Sequence, residues 1–475
     1  MFIEQLYTDC LAEAAYFVTS RGEAVVIDPI RDIESYLDRL KKHDARLKYI
    51  FLTHFHADFM GGHQDLARAT GATIVVGPTE LKTGYKTHVA HDGELFTLGA
   101  VSLELLHTPG HTTESSTLLL RDQDHEPYCI FTGDTLFIGD VGRPDLAQKV
   151  VEDLTQEKLA RMLYHSLRHK IMTLPDEVII YPNHGAGSPC GKNMSDETYD
   201  TLGHQKMVNY GLRADQTEDE FVTELLDGLT EPPAYFPAMV LGNINGVSSL
   251  DQVRANSYKP LEVNDFEQLL KENPDITILD TRPPSAFVKG FIPGAINIEL
   301  DSSYAIWAGT LLKDIKTKLL LIAPEGRTQE AADRLARVGF DQVLGYLKDG
   351  VEAWEQAHKP IDKIPFIDVM DLPELAKKET VNLLDVRRQS EYDSEHIINS
   401  INAPLDYWWK SMANFDKDTP YFVYCMGGTR SSMFCSLLKR EGYHNLTNVI
   451  NGGFGDLKQS SVFEISDFLC PTTFL

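Results

Sequence analysis

The first half of the chain alternates short apolar runs with polar turns. Residues 47–52, 101–106 and 128–131 are apolar runs, and each predicts a buried strand. Residues 14–18 and 24–27 predict two further strands. Residues 33–40 have the spacing of an amphipathic helix. Strands and helices therefore alternate through residue 184, which is consistent with sheets covered by helices.

The second half contains an internal repeat. Asp280-Thr281-Arg282 recurs as Asp385-Val386-Arg387, and Asn297 recurs as Asn402, both at an offset of 105 residues. Gly339 and Gly350 recur as Gly442 and Gly453 at an offset of 103 residues. Each copy reads as a strand, a polar turn, a second strand, and a strand that leads through a loop into a helix. The pattern predicts two homologous modules with parallel α/β sheets.

A chain of 475 residues is too long for one ordinary core, and its length suggests about three domains. An acidic helical stretch at 218–229 is followed by prolines at positions 232, 233 and 237, which end helices and stiffen a connector. We therefore predict domains at 1–236, 255–360 and 361–475.

Charge and composition exclude several classes of function. The formal net charge of -26 makes nucleic acid an unfavourable partner, because phosphate binding requires clustered Lys and Arg. No stretch approaches the ~20 apolar residues of a membrane span, and the start has no secretory signal pattern. The six cysteines show no framework spacing, which predicts a reducing cytoplasmic location.

Side chains that bind metals follow three of the predicted strands. His54, His56 and Asp58 come directly after the first, His111 after the second and Asp134 after the third. Open α/β sheets place their active sites at strand ends, and neutral imidazoles with carboxylates suit a catalytic divalent metal. The alternative for the histidine pair alone is a polar turn whose side chains bond their neighbours.

A cysteine lies between the strand predicted at 421–424 and the helix that follows it. The segment Cys425-Met426-Gly427-Gly428-Thr429-Arg430 places this thiol at a helix amino end, among backbone N–H groups and close to an arginine. Such surroundings stabilise a thiolate and bind anions. A buried structural cysteine is the alternative.

The motifs of the first half, HxHxD at 54–58, TPGHT at 108–112, GDTLF at 133–137 and YPNHG at 181–185, resemble those of the metallo-β-lactamase superfamily. This resemblance implies an αββα fold. Dinuclear hydrolases such as glyoxalase II read HxHxDH, whereas this chain has Phe59 in the last position. The remaining set, His54, His111 and Asp134, resembles that of the persulfide dioxygenases, which implies one non-haem Fe(II) per chain with O2 as co-substrate.

The same resemblance implies roles for neighbouring residues. His56 and Asp58 are expected to orient ligands and tune the metal, and His184 to do the same beside the substrate. Arg143, in Gly142-Arg143-Pro144-Asp145, is expected to bind the thiol carrier, with a surface ion pair as the alternative. Cys190 could meet the substrate sulfur or be a buried inert thiol, and Tyr85 is expected to line the pocket.

The cysteine loop resembles that of the rhodanese sulfurtransferases, in which the cysteine carries a persulfide. Its four residues between Cys425 and Arg430 favour sulfur transfer, since the phosphatase-like relatives have a loop one residue longer. Gly427, Gly428 and Arg387 are expected to contribute to substrate binding. In the first copy the offset of 103 places Ile322 opposite the cysteine, so this module is expected to be an inactive scaffold or docking domain with at most an anion site at Arg327.

The order of the three parts resembles bacterial persulfide dioxygenase–sulfurtransferase fusions. The resemblance implies oxidation of a glutathione, coenzyme A or other thiol persulfide to sulfite, and rhodanese transfer of sulfane sulfur to sulfite to give thiosulfate, in sulfide detoxification. It also implies a homo-oligomer. The charge, the lack of a long apolar run and the scattered cysteines add the expectation of a cytoplasmic protein with no nucleic-acid or membrane partner. Two alternatives remain, a zinc-dependent thioester hydrolase of the glyoxalase II kind and a non-catalytic sulfur carrier or redox sensor that uses Cys425.

Overall fold

The computed structural model describes residues 1–146, 154–192, 194–229 and 231–469. The chain forms two compact units. The first unit comprises residues 1–251 with 336–339, and the second comprises residues 252–335 with 340–475.

The first unit contains two mixed sheets. The first sheet has the strand order β1-β2-β3-β4-β5-β6 and the second has the order β12-β11-β10-β9-β8-β7. Strands β3, β4, β5 and β6 are mutually parallel, and β10 and β11 are parallel, whereas the remaining pairs are antiparallel. The strands are β1 (Phe2–Thr8), β2 (Glu13–Ser20), β3 (Glu23–Ile27), β4 (Arg46–Leu52), β5 (Thr73–Val76), β6 (His88–Val89), β7 (Glu94–Leu98), β8 (Val101–His107), β9 (Ser116–Arg121), β10 (Pro127–Gly133), β11 (Ile179–Pro182) and β12 (Asp200–Thr201).

The core of this unit lies between the two sheets. Tyr16, Val25 and Phe51 of the first sheet form one buried cluster with Leu118 and Leu120 of the second. The intervening Leu119 points to the other face and joins a cluster that includes residues of the helices covering that face. This alternation at period two is why the strands are apolar throughout: both faces of the second sheet are buried.

Helices and a few short turns complete the first unit. Its helices are α1 (Glu34–Lys42), α2 (His63–Thr70), α3 (Gln156–Ser166), α4 (Leu202–Val208), α5 (Glu218–Leu226) and α6 (Phe236–Asn245). Helix α5 begins with a full capping box between Thr217 and Glu220, which satisfies the first free N–H groups of the helix.

The second unit contains two parallel sheets of the same topology. Their strand orders are β13-β17-β16-β14-β15 and β18-β22-β21-β19-β20. The strands are β13 (Pro260–Leu261), β14 (Thr277–Asp280), β15 (Ile296–Asn297), β16 (Leu319–Ile322), β17 (Val343–Leu347), β18 (Phe366–Asp368), β19 (Leu383–Asp385), β20 (Ile401–Asn402), β21 (Tyr421–Tyr424) and β22 (Leu446–Ile450).

The helices from residue 250 onward are α7 (Leu250–Ser257), α8 (Val263–Glu272), α9 (Pro284–Phe287), α10 (Tyr304–Leu312), α11 (Thr328–Arg337), α12 (Gly350–Gln356), α13 (Leu372–Ala376), α14 (Gln389–Ser394), α15 (Trp408–Ser411), α16 (Thr429–Arg440) and α17 (Phe454–Gln459). No helix in the described part of the chain has the length and apolar character that a membrane span requires.

The predicted fold class is confirmed, since two helix-covered sheets are followed by two parallel α/β modules. The predicted strand at 421–424 coincides with β21, and that at 101–106 lies within β8. The domain limits remain predictions. The first compact unit extends past residue 236, because α6 packs within it, and both repeated modules lie in the second unit.

Candidate functional site

Five polar side chains meet where strands of the two sheets of the first unit end. His54 follows β4, His111 lies between β8 and β9, Asp134 follows β10 and His184 follows β11. Asp28, which follows β3, lies beside them and accepts a hydrogen bond from Thr53. Because several strand ends open at the same edge of the unit, residues far apart in sequence converge there.

His54, His111 and Asp134 form the first candidate metal group. Their ligand atoms all lie within 4.8 Å of one another, and all three side chains are buried. Asp134 Oδ2 lies 3.8 Å from His54 Nε2 and 3.4 Å from His111 Nε2. Two imidazoles and one carboxylate that converge from different strands form the type of site that binds a divalent metal.

Hydrogen bonds orient both imidazoles. His111 Nδ1 donates to the backbone oxygen of Arg143 at 2.8 Å, which leaves the Nε2 lone pair facing Asp134. Thr53 Oγ1 donates to Asp28 Oδ2 at 2.8 Å and lies 3.0 Å from His54 Nδ1, so it accepts from that nitrogen. Burial, helped by the neighbouring histidines, holds the pKa of His54 well below its ordinary value. His54 is therefore neutral, as a metal ligand must be.

A second group lies beside the first. His56, Asp58 and His184 are buried, and their ligand atoms also lie within 4.8 Å of one another. His184 Nε2 lies 3.4 Å from Asp58 Oδ2 and 3.5 Å from Asp134 Oδ1, while its Nδ1 donates to the backbone oxygen of Ala12 at 3.0 Å. Asp134 thus lies between the two groups, with one oxygen toward each.

The polar atoms of this region fit a bound cation. Both carboxylate oxygens of Asp58 and of Asp134, and Nε2 of His184, are buried without a hydrogen-bond partner among the residues that the structure describes. Unpartnered buried acceptors of this kind cost stability unless a cation satisfies them. The first unit therefore contains a metal-binding site.

His56 and Phe59 differ from the simplest ligand pattern. Burial opposes protonation of His56, but Asp28, whose Oδ1 lies 3.0 Å from His56 Nε2, raises the pKa of His56 above its ordinary value. Phe59 is fully buried and its ring packs 4.2 Å from that of His56, measured between centroids. Phe59 thus stands at the position that supplies a histidine in HxHxDH hydrolases, and its side chain packs in the apolar interior.

Several residues that surround this centre were not predicted from the sequence. Asn243 of α6 donates to the backbone oxygens of His56 and Phe59, both at 2.8 Å, and accepts from the N–H of Gly61 at 2.9 Å. Glu13 is fully buried, and within the described ranges neither of its carboxylate oxygens has a hydrogen-bond partner. Burial, together with Asp28 and Asp58, raises the pKa of Glu13 well above its ordinary value. Asp28 follows a predicted strand, so the rule that found the metal ligands could have found it too.

A narrow pocket opens beside His111. Its lining is mainly apolar and includes Phe55, Ala57, Leu81, Leu146, Val240 and Ile244. Tyr85, which was expected there, is not part of the lining. Its hydroxyl donates to the backbone oxygen of Asn243 at 2.6 Å, and its ring packs against His63.

Arg143 is placed differently from both expectations. Its guanidinium forms two 2.6 Å hydrogen bonds with Asp145 and a third, at 3.1 Å, with the backbone oxygen of Pro189. The ion pair exists, but it is buried rather than at the surface. Since the backbone of Arg143 accepts from His111 and donates to the oxygen of Cys190, the residue joins the loops on either side of the metal-binding site.

Cys190 lies at this site. Its sulfur is within 4.8 Å of ligand atoms of Asp134 and His184, and the side chain is buried. Burial, followed by the charges of Asp58 and Asp134, raises the pKa of the thiol well above its ordinary value. The residue therefore combines features of both expectations: it is a buried thiol, and it adjoins the candidate metal ligands.

The second unit contains the cysteine loop between β21 and α16. The N–H of Gly428 donates to Cys425 Sγ at 3.1 Å, and Gly428 has a φ of +95°, which favours glycine. Gly427 is exposed. The loop also needs Gly453, because a Cβ there would lie 2.1 Å from the backbone oxygen of Cys425.

Arg430 is paired with Glu391. The two bonds from its guanidinium to the carboxylate are 2.5 and 3.0 Å long. Burial opposes the charged form of Glu391, but Arg430 holds its pKa below the ordinary value. An anion that binds the loop must share Arg430 with this carboxylate.

The expected substrate-binding role of Arg387 does not fit its position. The side chain is 2% exposed, forms two-pronged bonds to Asp385, and packs 3.8 Å from the ring of Phe454. Arg282 forms the same bonds to Asp280 in the module without a cysteine. The arginine is therefore a structural feature of both copies.

In the cysteine-free module, the residue that the structure aligns with Cys425 is one position later than the sequence offset predicted. Asp280 pairs with Ile322 and Asp385 pairs with Tyr424, so the sheets align Ile322 with Tyr424 and Ala323 with Cys425. Ala323 offers no nucleophile either, and the loop to Arg327 is one residue shorter. Arg327 bonds Asp301 at 2.7 Å and Glu330 at 2.8 Å, which disfavours an anion site.

Known proteins match both parts of the chain. Residues 8–184 match the metallo-beta-lactamase superfamily, and residues 262–357 and 368–460 each match the rhodanese-like domain. A crystal structure of a metallo-beta-lactamase from Staphylococcus aureus subsp. aureus COL shares 32% sequence identity with a TM-score of 0.65. That match covers 73% of this chain and 98% of the other.

Two relatives with different activities are similar to the first unit. The cytoplasmic hydroxyacylglutathione hydrolase of Arabidopsis thaliana is 30% identical over 166 residues, which are 35% of this chain and 60% of that protein. The mitochondrial persulfide dioxygenase ETHE1 of Homo sapiens is 32% identical over 189 residues, 39% of this chain and 68% of that protein. The chain thus spans less than two thirds of the Arabidopsis relative. Together with the fold and the metal-binding site, these matches show that the chain belongs to the metallo-β-lactamase superfamily and carries two rhodanese-like domains.

Proposed function

We propose that the protein is an Fe(II)-dependent persulfide dioxygenase with a coupled thiosulfate sulfurtransferase activity. The observation that carries the proposal is the presence, in one chain, of a buried two-histidine, one-carboxylate group and a cysteine loop at a helix amino end. The loop is suited to sulfane sulfur, and a persulfide is a substrate that both sites can share. The human persulfide dioxygenase among the relatives supports the same reading.

The two reactions balance. In the first, RSSH, O2 and H2O give RSH and H2SO3: the terminal sulfur loses four electrons and O2 gains them. In the second, the Cys425 thiolate takes the outer sulfur of another RSSH and releases RS⁻. Sulfite then attacks the outer sulfur of the Cys425 persulfide, which forms thiosulfate and restores the thiolate.

Residues of the first unit would hold the iron and position the carrier. His54, His111 and Asp134 would be the ligands, and a ferrous ion bound there would supply the means to activate O2 and to orient the sulfur. The apolar pocket beside His111 would take the thiol carrier, and buried Cys190 would lie near the reacting sulfur. Asn243 and Thr53 would keep the ligand loop in place.

Residues of the cysteine loop would stabilise negative charge. The N–H of Gly428 points at Cys425 Sγ and would support the thiolate and its persulfide. Arg430, released in part from Glu391, would bind the incoming sulfite dianion. The expected carrier is the persulfide of glutathione, coenzyme A or another small thiol, and we place the reaction in the cytoplasm, in a homo-oligomer.

Oxygen uptake tests the proposal. Protein loaded anaerobically with Fe(II) should consume O2 on addition of glutathione persulfide or coenzyme A persulfide, and sulfite or thiosulfate should accumulate. An oxygen electrode measures the first quantity and ion chromatography the second. Absence of oxygen uptake with every persulfide supplied would show that the first unit is not a dioxygenase.

A zinc-dependent thioester hydrolase is the second candidate. The group His56, Asp58 and His184, which shares Asp134 with the first group, favours it because such an arrangement can hold a second metal. Phe59 argues against it, since it removes one ligand of the dinuclear pattern. Metal analysis of protein purified without added metal separates the two: one iron per chain supports the oxygenase, and two zinc ions with hydrolysis of S-lactoylglutathione support the hydrolase.

A further inference from the structure

The helix that follows the cysteine loop is held along one side by the cysteine-free module. Ser432 Oγ of α16 donates to Asn297 Oδ1 at 2.8 Å, and Ser436 Oγ accepts from the N–H of Asn297 at 3.0 Å. At the end of the helix, Arg440 donates to Thr277 Oγ1 at 2.9 Å. Ser432, Ser436 and Asn297 are buried, so water cannot hydrogen-bond to these groups and the bonds between them satisfy their polar atoms instead.

Asn297 connects this helix to the interior of its own module. Its side-chain amide donates to the backbone oxygens of Asp280 at 3.0 Å and Arg282 at 2.9 Å. Its side-chain oxygen and its backbone N–H are used by α16. The side chain therefore fixes the helix relative to the structural turn that the Asp280–Arg282 ion pair stabilises.

The internal repeat provides a built-in comparison. Asn402 occupies the equivalent position and donates in the same way to the backbone oxygens of Asp385 and Arg387, both at 3.1 Å. Its side-chain oxygen, however, is buried and has no hydrogen-bond partner in the described part of the chain. The asparagine thus has a module-internal role in both copies, and only Asn297 has the additional role of holding a helix.

The two helices differ in the residues that meet the asparagine. When Arg327 is aligned with Arg430, Ser432 and Ser436 of α16 correspond to Gln329 and Asp333 of α11. Asp333 is bonded by Arg254 and by the hydroxyl of Tyr258. The contact between an asparagine of one module and a helix of the other is therefore formed once, by Asn297 with α16, and is not repeated between Asn402 and α11.

A second contact reaches the loop itself. Thr429 is the residue before Arg430, and its hydroxyl donates to Glu299 Oε2 at 3.2 Å. The residue equivalent to Glu299 in the second module is Pro404, which has no acceptor in its side chain. The cysteine-free module thus supplies a hydrogen-bond acceptor to the Cys425 loop of the other module, although its own equivalent loop has no cysteine.

From these contacts we infer that Asn297 and Glu299 are positioning residues for the Cys425 loop, so that the module without a cysteine is a working part of the sulfurtransferase. The inference rests on the proposed sulfur transfer at Cys425. Asn297 would act through α16 and Glu299 through Thr429. Neither residue would touch the reacting sulfur.

The test uses the full chain loaded with iron. Ser432→Ala removes the bond to Asn297 Oδ1 and leaves the bonds of Asn297 within its own module. Glu299→Ala removes the acceptor for Thr429, whereas Glu299→Gln keeps an oxygen there. Asn297→Ala and the matched Asn402→Ala compare the two copies. The measurements are kcat and KM for sulfite in thiosulfate formation, oxygen uptake, and the alkylation rate of Cys425 by iodoacetamide, followed on its own peptide by mass spectrometry.

We expect Ser432→Ala, Asn297→Ala and Glu299→Ala to lower kcat for thiosulfate formation about fivefold, the factor that one buried hydrogen bond contributes. KM for sulfite should change less than twofold, because Arg430 and Glu391 stay in place. Cys425, which is 1% exposed, should be alkylated severalfold faster. Glu299→Gln should restore kcat, and Asn402→Ala and the oxygen uptake of every variant should match the parent protein.

The outcomes separate two failures. If the parent protein makes no thiosulfate, the proposed transfer is wrong, and the alkylation rates still decide whether α16 and the loop depend on the neighbouring module. If the parent protein is active and Ser432→Ala and Glu299→Ala keep its kcat and alkylation rate, the inference is overturned. An equal loss in Asn402→Ala and Asn297→Ala would also overturn it, because the effect would then be a general loss of module stability.

Discussion

At the scale of single residues, the first unit buries carboxylate oxygens that have no hydrogen-bond partner among the described residues and that a bound cation would satisfy. Asp134 is the central case, since its two carboxylate oxygens face different histidines and neither accepts a hydrogen bond from any described residue. Burial of an unsatisfied carboxylate destabilises the metal-free fold. Asp134, a candidate metal ligand, should therefore reduce the stability of the metal-free protein.

Asp134→Ala tests whether this side chain both binds metal and destabilises the metal-free protein. We expect the variant to lose metal binding and oxygen uptake, and its metal-free form to be more stable than the metal-free parent by ~1–3 kcal/mol, the cost of an unsatisfied buried polar group. Urea denaturation of both proteins after chelation measures the difference. Asp124→Ala, at an exposed turn, is the control and should change neither property. A destabilised apo variant that still binds iron would contradict the assignment.

His63 provides a pH-dependent prediction. Burial, with a contribution from His56, lowers the pKa of His63 to about 3, whereas the same side chain titrates near 6.5 when unfolded. Between those values the unfolded chain binds a proton that the folded chain does not, so the stabilising contribution is complete above pH 6.5 and decreases as the pH falls. The loss should be about 2 kcal/mol between pH 6.5 and 5, since each unit corresponds to about 1.4 kcal/mol.

Urea denaturation of metal-free protein at the two pH values measures this slope. His63→Leu should have a smaller loss of stability on acidification than the parent protein, and His125→Gln, at an exposed turn, should match the parent. Equal slopes in His63→Leu and the parent would show that His63 is protonated in the folded state.

At the scale of elements, a loop is defined by its neighbours as much as by its own residues. The loop after β21 packs directly against Gly453, the residue that precedes α17. The nearest atoms to a Cβ at Gly453 would be the backbone oxygens of Cys425 and Met426, at 2.1 and 2.5 Å. Backbone atoms of this loop cannot move aside without losing the bond from Gly428 to the sulfur.

Gly453→Ala should therefore displace the cysteine loop. We expect thiosulfate formation to fall at least tenfold and the unfolding free energy to fall by about 1–3 kcal/mol, as for other overpacked sites. Gly455→Ala lies in α17, where an added Cβ would meet no described atom within 4 Å apart from its chain neighbours and its own helix backbone, so it should leave both unchanged or slightly raise stability. Sulfur-transfer assays and thermal denaturation compare the two variants. Normal activity in Gly453→Ala would show that the loop tolerates a wider opening.

The strands and helices were largely predictable, and the site was predictable in part. Apolar runs located β4, β8 and β10 because both faces of these strands are buried. The rule that polar residues after such strands form the site found His54, His111 and Asp134. It could not find Asn243, which lies on a helix far along the chain. It also could not predict the ion pair of Arg387 with Asp385, because that contact depends on the turn geometry.

At the scale of the whole molecule, the proposed activities are divided between the two units. The candidate metal ligands belong to the first unit and Cys425 to the second. Cys425→Ser should therefore abolish thiosulfate formation and leave persulfide-dependent oxygen uptake within twofold of the parent protein, with sulfite as the product. Simultaneous oxygen-electrode and ion-chromatography measurements test this division, and loss of both activities in a folded variant would refute it.

The sequence by itself determined the order of the parts, the repeat and the identity of the candidate site residues, because periodicity, spacing and residue type are local properties of a chain. Tertiary structure alone decided that two candidate metal groups share Asp134, that Arg143 is buried against Asp145, and that Asn297 Oδ1 bonds α16 while Asn402 Oδ1 bonds no described residue. These features depend on contacts between residues distant in sequence. Such contacts form only when burial brings strand ends and helices together, and no local pattern encodes them.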